Sequence, residues 1–325
     1  DQTPKQVQGM STTHDCLPRE DGMRMPGEHE PQQAVLMLWP ERPDNWRNGA
    51  RDAQRQFVEV AAAIAAVTPV SMFASAAQLD NARRQLPPAV TLLEVASDDS
   101  WMRDVGPTYV IGDGGCIRGV DWQFNAWGGE LDGLYSPWDR DADVARRVLE
   151  LRGEDRYAAP LILEGGSIHV DGEGTLYTTQ ECLLHPSRNP GLTRQEIESL
   201  LGDFLAIDKF IWLKRGLYND ETNGHIDNLL HVVAPGEIVL SWCDDQSDPM
   251  FDICREAMAT LAAERDAKGR QLAVHKLPIP GPLYATQQEV AGLRGGGHAV
   301  RAAGERLGGS YANFLITNGL SLIHI

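Results

Sequence analysis

The sequence predicts a fold of alternating strands and helices, α/β or α+β, on three observations. Apolar runs of strand length alternate with segments of helical period, a hydrophobic share of 42% is enough to bury a core, and four apolar stretches end in a functional-looking residue at nearly constant intervals. In chain order, Ala34 to Trp39 is apolar and stops at Pro40, as a strand would. Phe57, Val60, Ala61, Ile64 and Val67 then recur at three- and four-residue steps, the period of a helix with one buried face. Val70 to Phe73 reads as a strand, Ala76 to Leu86 as a helix ended by Pro87 and Pro88, and Val90 to Val95 as a strand again. The stretches MLWP, WMRDVGP, LILEGG and TNGHIDN carry Trp39, Asp104, Glu164 and Asp227, which lie 65, 60 and 63 residues apart. That period exceeds ordinary solenoid repeats and suggests a ring of like modules around an axis, although any α/β protein spaces its strand ends somewhat evenly.

The chain has 325 residues, enough for two ordinary domains or one large one. Residues 1–27 are polar, rich in Pro, Gln, Thr and Gly, and without periodicity, so a tail or arm is expected there and an ordered domain over 28–319. The longest apolar stretch, Val60 to Val67, is far short of the roughly 18 residues that span a bilayer, which argues against a membrane protein. Lys plus Arg number 29 against 46 Asp plus Glu, a net charge of −17. This balance disfavours a nucleic-acid partner and permits a cationic ligand. Five scattered cysteines with no CxxC pair fit neither a disulfide framework nor a structural zinc site, and a reducing, cytoplasmic setting fits best. No secretory leader is visible, and a start at Asp1 instead of methionine reads as a fragment.

Three segments carry candidate chemistry. In TNGHIDNLLHVV, a strand would turn His225 and Asp227 to one face, giving an imidazole beside a carboxylate. A satisfied histidine near a turn is the plainer alternative, and a metal site would need further ligands that no HExxH-like pattern supplies. Glu164 closes an apolar run before Gly165 and Gly166, whose lack of side chains lets another segment or a ligand approach closely. Asp104 follows Arg103 in an apolar setting before Gly106 and Pro107; a structural salt bridge is the default for an isolated pair of this kind. Pooled, the carboxylates and the imidazole form an anionic pocket whose natural guest is a planar guanidinium, which stays charged and offers donors in a fixed fork. One such pair contributes about 4 kcal/mol at an effective dielectric near 20, before desolvation.

The chain resembles the agmatine deiminases, within the bacterial-type peptidyl-arginine deiminase group of guanidino-group-modifying enzymes. The resemblance rests on MPGEHEP (Met25 to Pro31), LWPERPDNWR (Leu38 to Arg47), SWMRDVGPT (Ser100 to Thr108), NAWGG (Asn125 to Gly129), EGGSIHVDGEGT (Glu164 to Thr175), ETNGHIDN (Glu221 to Asn228) and SYANF (Ser310 to Phe314), in that order. It implies a fivefold pseudo-symmetric α/β propeller of ββαβ modules, the last incomplete here, with the site on its axis. It also implies hydrolysis of agmatine, a small cationic guanidino substrate, to N-carbamoylputrescine and ammonia, a step in putrescine biosynthesis, with no metal or organic cofactor. By the same resemblance Asp104 and Asp227 hold guanidino nitrogens, and Glu164 and His225 move protons. Asp220 or Glu221 is the candidate for the distal amine, and Trp39, Trp101 and Trp127 are candidates to wall the aliphatic linker, with at least one of them expected in the core. A homo-oligomer is compatible with this reading.

The family's nucleophile is a cysteine in a GGGNIHC-like motif past the SYANF segment, and this chain stops at Ile325 before any such motif. None of the five cysteines suits the role, and the Gly295 to Gly297 run with His298 precedes Tyr311 and has no cysteine. Residues 320–325, LSLIHI, depart from the family pattern and read as a non-native tail. The expectation is a truncated chain without turnover. A peptidyl-arginine deiminase, a non-catalytic guanidinium binder and, last, a metal hydrolase are the competing functions.

Overall fold

The structure, a computed structural model, describes residues 11–291, 293 and 302–323. Its first sheet is wholly parallel: Val35–Leu38 pairs with Val70–Ala74, which pairs with Val90–Glu94. Parallel neighbours require crossovers, supplied by the helices Arg51–Ala65 and Leu79–Gln85. The central strand is buried along its whole length, which accounts for its unbroken apolar pattern. The helical period anticipated through Val67 stops earlier, because the helix is capped at Ala66 and Val67 lies beyond it, 42% exposed.

Three later sheets share one order, a hairpin, then a helix, then a third strand parallel to the hairpin's second. Thr108–Ile111 and Ile117–Gln123 are antiparallel, and Asp155–Ile162 returns beside the latter after the helix Asp141–Arg152. Ile168–Val170 and Thr175–Thr179 are joined by Lys209–Leu213 after the helix Arg194–Leu205, whose Thr193 and Glu196 form a reciprocal capping box. Leu230–Ala234 and Glu237–Trp242 are joined by Ala273–Pro278 after the helix Met250–Ala263. Further on, Phe314–Thr317 pairs antiparallel with Leu320–Ile323. Four buried clusters form the core, and each takes in the apolar side of one of the longer helices.

Residues of the expected arm are placed from Ser11 onward. Thr13–His14 adds a short parallel edge to Asp155–Ile162, Met23 enters the core, and Arg24 bridges to Ile111. These contacts are made one or two residues at a time, so they leave no periodic trace in the sequence. No helix among the described residues is long and apolar enough to cross a membrane.

The regular spacing of the acidic markers has a structural cause. Asp104 lies in the one-turn helix Met102–Val105 before Thr108–Ile111, Glu164 directly precedes the turn Gly165–Ser167 before Ile168–Val170, and Asp227 lies in the turn Ile226–Asn228 before Leu230–Ala234. Each acid therefore occupies the entrance of a hairpin, and the Gly165–Ser167 turn touches both of the others. WMRDVGP and TNGHIDN are thus turns and not the apolar strand ends anticipated from sequence. Gly106 and Pro107 end the first helix before its strand begins, and Gly224, at φ +78°, turns the chain just before His225. Trp39 differs in kind, since it follows the strand Val35–Leu38 instead of preceding a hairpin.

Candidate functional site

The three entrance turns bring their acids to a common point. Asp104 Oδ1 accepts from the Gly166 amide at 2.8 Å, and Oδ2 accepts from Trp127 Nε1 at 3.1 Å. His225 Nδ1 lies 4.0 Å from Asp104 Oδ1, and its Nε2 lies 3.5 Å from Glu164 Oε2. Gly166 stands where the groups converge. A Cβ built there would sit 2.5 Å from Asp227 Oδ2, 2.6 Å from His225 Nδ1 and 2.8 Å from Asp104 Oδ1. A Cβ on Gly165 would strike the Arg103 carbonyl. The paired glycines therefore do permit close approach, of the neighbouring turns in this case. His225 and Asp227 share the site by a different route from the one anticipated: a single 3-10 turn, not strand alternation, carries both inward. Thr179 supports that turn, its hydroxyl donating to the Gly224 carbonyl at 2.7 Å.

Glu164, His225 and Asp227 are buried and Asp104 is partly so, and their charges are set by neighbours. Burial opposes ionisation of Glu164, but the Arg188 guanidinium, with Nε 2.8 Å from Oε1, and the His225 imidazole outweigh it and hold the carboxyl below its usual range. Burial likewise opposes the His225 cation, yet Asp104, the Cys182 thiol and Glu164 together keep its pKa well above that of a free imidazole. At Asp227 the compensation falls short. Burial pushes its carboxyl up to about 7, His225 restraining the rise while Asp104 and Asp220 add to it. Asp104 is raised too, first by burial and then by Glu164, against the pull of His225. Asp227 Oδ1, both Glu164 oxygens and His225 Nε2 are buried without a hydrogen-bond partner. The carboxylate oxygens in this set suit a guest that arrives with several N–H donors and a positive charge.

Of the remaining sequence candidates, Trp127 adjoins the converging groups: its indole holds Asp104 and its ring packs edge-on against Phe124 and Tyr135. Trp101 caps the Asp104 helix and lies against Trp46, with ring centroids 5.5 Å apart. Trp39 is 1% exposed in the core beside Val35 and Ile64, donating to Gln78 at 3.3 Å, and is not among the residues gathered at Gly166. Asp220 is half-buried, accepting from Thr222 and from Asn228 at 3.1 Å, and acts on Asp227 through its charge. Glu221, next along the chain, is also half-buried. The run from Gly295 to His298 lies outside the described residues.

Asp99 is a support that the sequence did not reveal. Its carboxylate accepts from Asn45 at 2.8 Å, Trp46 at 2.9 Å and Trp101 at 3.1 Å, and so orients both indoles. Asp99→Ala leaves these donors without their acceptor and is expected to destabilise the protein by roughly 1–3 kcal/mol, read as a lower urea midpoint.

Two further residues escaped sequence reasoning. Arg188 is fully buried against Glu164, and its only sequence mark is an RNP turn that looks like any other. Cys182 is buried with its sulfur grouped with Glu164 and His225, the three ligand-type atoms lying within 4.8 Å of one another. Neither aspartate joins that group, and burial raises the thiol's pKa despite His225, so Cys182 is poorly set up as a thiolate. The trio provides one donor fewer than a structural zinc site, and Arg188 already supplies a positive charge at Glu164.

Known proteins share this arrangement of chain. The sequence profile described as Porphyromonas-type peptidyl-arginine deiminase matches residues 24–324. An agmatine deiminase of Pseudomonas aeruginosa (strain UCBPP-PA14) is 57% identical over 305 residues, covering 93% of this chain and 83% of its own length. One from Ectopseudomonas mendocina (strain ymp) is 56% identical over 311 residues, covering 95% and 84%. The solved agmatine deiminase of Enterococcus faecalis superposes with a TM-score of 0.91 at 47% identity, covering 95% of this chain and 85% of that one. With nearly its whole length matched in sequence, and an α/β fold like that of the solved relatives, the chain belongs to the Porphyromonas-type peptidyl-arginine deiminase family.

Proposed function

We propose that this protein's site acts on agmatine, hydrolysing its guanidino group to give N-carbamoylputrescine and ammonia. The observation that carries this reading is the convergence of Asp104, Asp227 and His225 on Gly166, backed by Glu164, in a chain 57% identical to an agmatine deiminase. Asp104 and Asp227 hold the guanidino nitrogens, and Trp127 fixes the rotamer of Asp104. Guanidino carbon is a weak electrophile, so a thiolate adds to it to form a tetrahedral adduct. His225, protonated through the influence of Asp104 and Glu164, gives its proton to the leaving nitrogen, and ammonia departs. The imidazole, now neutral, takes a proton from water as the hydroxide adds to the amidino carbon; collapse then releases N-carbamoylputrescine and the thiolate, the adduct's remaining hydroxyl proton passing by way of Glu164 to the departed ammonia or solvent. Asp220 and Glu221 are assigned to the distal amine, and Trp101 to the wall along the linker. The reaction uses no metal or organic cofactor.

The fold that suits this chemistry is a fivefold propeller of ββαβ modules around the site. Three hairpin–helix–strand units, each with its acid at the entrance turn, support that reading. The thiolate is assigned to none of the five cysteines, because Cys182, the one grouped with His225, is buried and its thiol is pushed up, against thiolate formation. Agmatine is therefore expected to bind the 325-residue chain without ammonia release. Calorimetry and an ammonia assay check both halves, and turnover by this chain, purified free of other deiminases, would overturn the assignment of the thiol. Equal binding of a peptide containing internal arginine would shift the substrate to peptidyl-arginine.

A further inference from the structure

Arg188 is among the largest fully buried side chains, and it carries a permanent charge into a site that has to receive another cation. It lies in the turns after the short helix Gln180–Leu183, with an ion pair at Nε and hydrogen bonds from both terminal nitrogens. Nε faces Glu164 Oε1 at 2.8 Å. One terminal nitrogen donates to the Trp127 carbonyl, to Asn223 Oδ1 at 2.7 Å and to Ser187 Oγ at 3.1 Å. The other donates to the Thr222 carbonyl at 2.9 Å.

Apart from its neighbour Ser187, these partners belong to three separate segments, and each segment presents a site residue. Glu164 is the first directly. Trp127 sits in left-handed backbone at φ +61° and holds Asp104 through its indole. Thr222 and Asn223, the latter at φ +64°, lead straight into His225. Asn223 also donates to Asp132 at 2.7 Å, which ties the second segment to the third.

We propose that Arg188 is a positioning residue: its planar fork clamps the Glu164, Trp127 and Thr222–Asn223 segments at the spacing that presents Glu164, Asp104 and His225 to the guanidino group. The identity of that guest rests on the function proposed above. Lysine cannot replace the fork, because a point charge with three donors does not reach acceptors on three walls. The groups facing His225 are Asp104, Glu164, Cys182 and Asp227, with Arg188 standing behind Glu164. Without Arg188 a buried Glu164 has only the imidazole to compensate it, so it takes up a proton and His225 loses an anionic partner.

A clamp and a bystander cation make opposite predictions. Removing a bystander positive charge tightens the binding of a second cation, whereas removing a clamp weakens it. Arg188→Lys and Arg188→Gln in the 325-residue chain separate the two, with folding checked by circular dichroism. Agmatine Kd from calorimetry is expected to rise at least about tenfold in the lysine variant and further in the glutamine variant. The NMR titration midpoint of the His225 imidazole, measured without ligand, is expected to fall by about one pH unit or more in the glutamine variant and by less in the lysine variant. Tighter agmatine binding, or an unmoved imidazole midpoint in folded variants, would overturn the proposal. If the unsubstituted chain binds no agmatine while the midpoint still moves, the substrate reading fails and the clamp stands. Should the glutamine variant not fold, the lysine variant decides by the same two measurements.

Discussion

Gly166→Ala is expected to weaken agmatine binding by about 100-fold or more, a loss of roughly 3 kcal/mol, while leaving the fold in place. The new methyl would stand 2.5 to 2.8 Å from Asp227 Oδ2, His225 Nδ1 and Asp104 Oδ1, closer than carbon and these atoms can sit. Gly166 itself is not among the residues at positive φ, so alanine meets no backbone penalty. The clash falls on the ends of side chains, which can move, and overpacking of this kind costs about 1–3 kcal/mol of stability. Movement of those ends is what spoils the site, because both carboxylates and the imidazole are pushed from the geometry that receives the guanidinium. Calorimetry with agmatine and a thermal melt read the two effects separately. Undiminished affinity in a folded Gly166→Ala protein would mean that the convergence at Gly166 is not where the substrate binds.

The second large effect is on pH dependence. With its carboxyl pushed up to about 7 by burial, Asp227 is half protonated in neutral solution and has to ionise to hold a cation. Agmatine affinity is therefore expected to fall about tenfold for each pH unit below that value and to level off above it. Asp227→Asn should bind weakly at all pH values and lose the slope. Stability moves in the opposite sense. The folded state binds the Asp227 proton more tightly than the unfolded chain, so this carboxyl's contribution is fully present below about pH 4, the unfolded range, and is lost as pH rises through the folded value. A bound cation reverses that loss, so the thermal shift produced by agmatine should be larger at pH 8 than at pH 6. Asp141, also pushed up to about 7 by burial but held by Tyr135 and the amides of Asp98 and Asp99, adds its own stability loss in the same window. It provides an internal control, because Asp227→Asn should leave that background while removing the slope in binding. A flat affinity profile from pH 5 to 8 would show that Asp227 is already ionised in the empty site.

Both effects depend on the same crowding. Charges that repel one another in the empty pocket are what a guanidinium relieves, and Gly166 allows them to be this close. Arg188 and His225 keep the crowding tolerable by holding Glu164 ionised without a guest.

Much of this was legible in the letters. The first sheet and its helices follow from local periodicity, because a buried parallel strand has to be apolar and a half-buried helix has to repeat at three and four. The three acids were legible because each stands at an equivalent hairpin entrance, which imposed the near-regular interval between Asp104, Glu164 and Asp227. The glycines after Glu164 signalled close approach, since only glycine leaves room for another turn there. Where local patterning was ambiguous, the sequence misled: His225 and Asp227 looked like alternate residues of a strand and lie in a turn.

By itself, then, the sequence determined which acids and which imidazole were available and that their charge suits a guanidinium. Residue type and local period set those properties, and neither needs a partner distant in the chain. Only the tertiary structure decided that Arg188 compensates Glu164, that Cys182 groups with Glu164 and His225, and that Trp127 holds Asp104 while Trp39 packs in the core. Each of those facts is a contact between segments remote in sequence. Its energy comes from burial and charge pairing that exist only once the segments have met, so no single segment carries a trace of it.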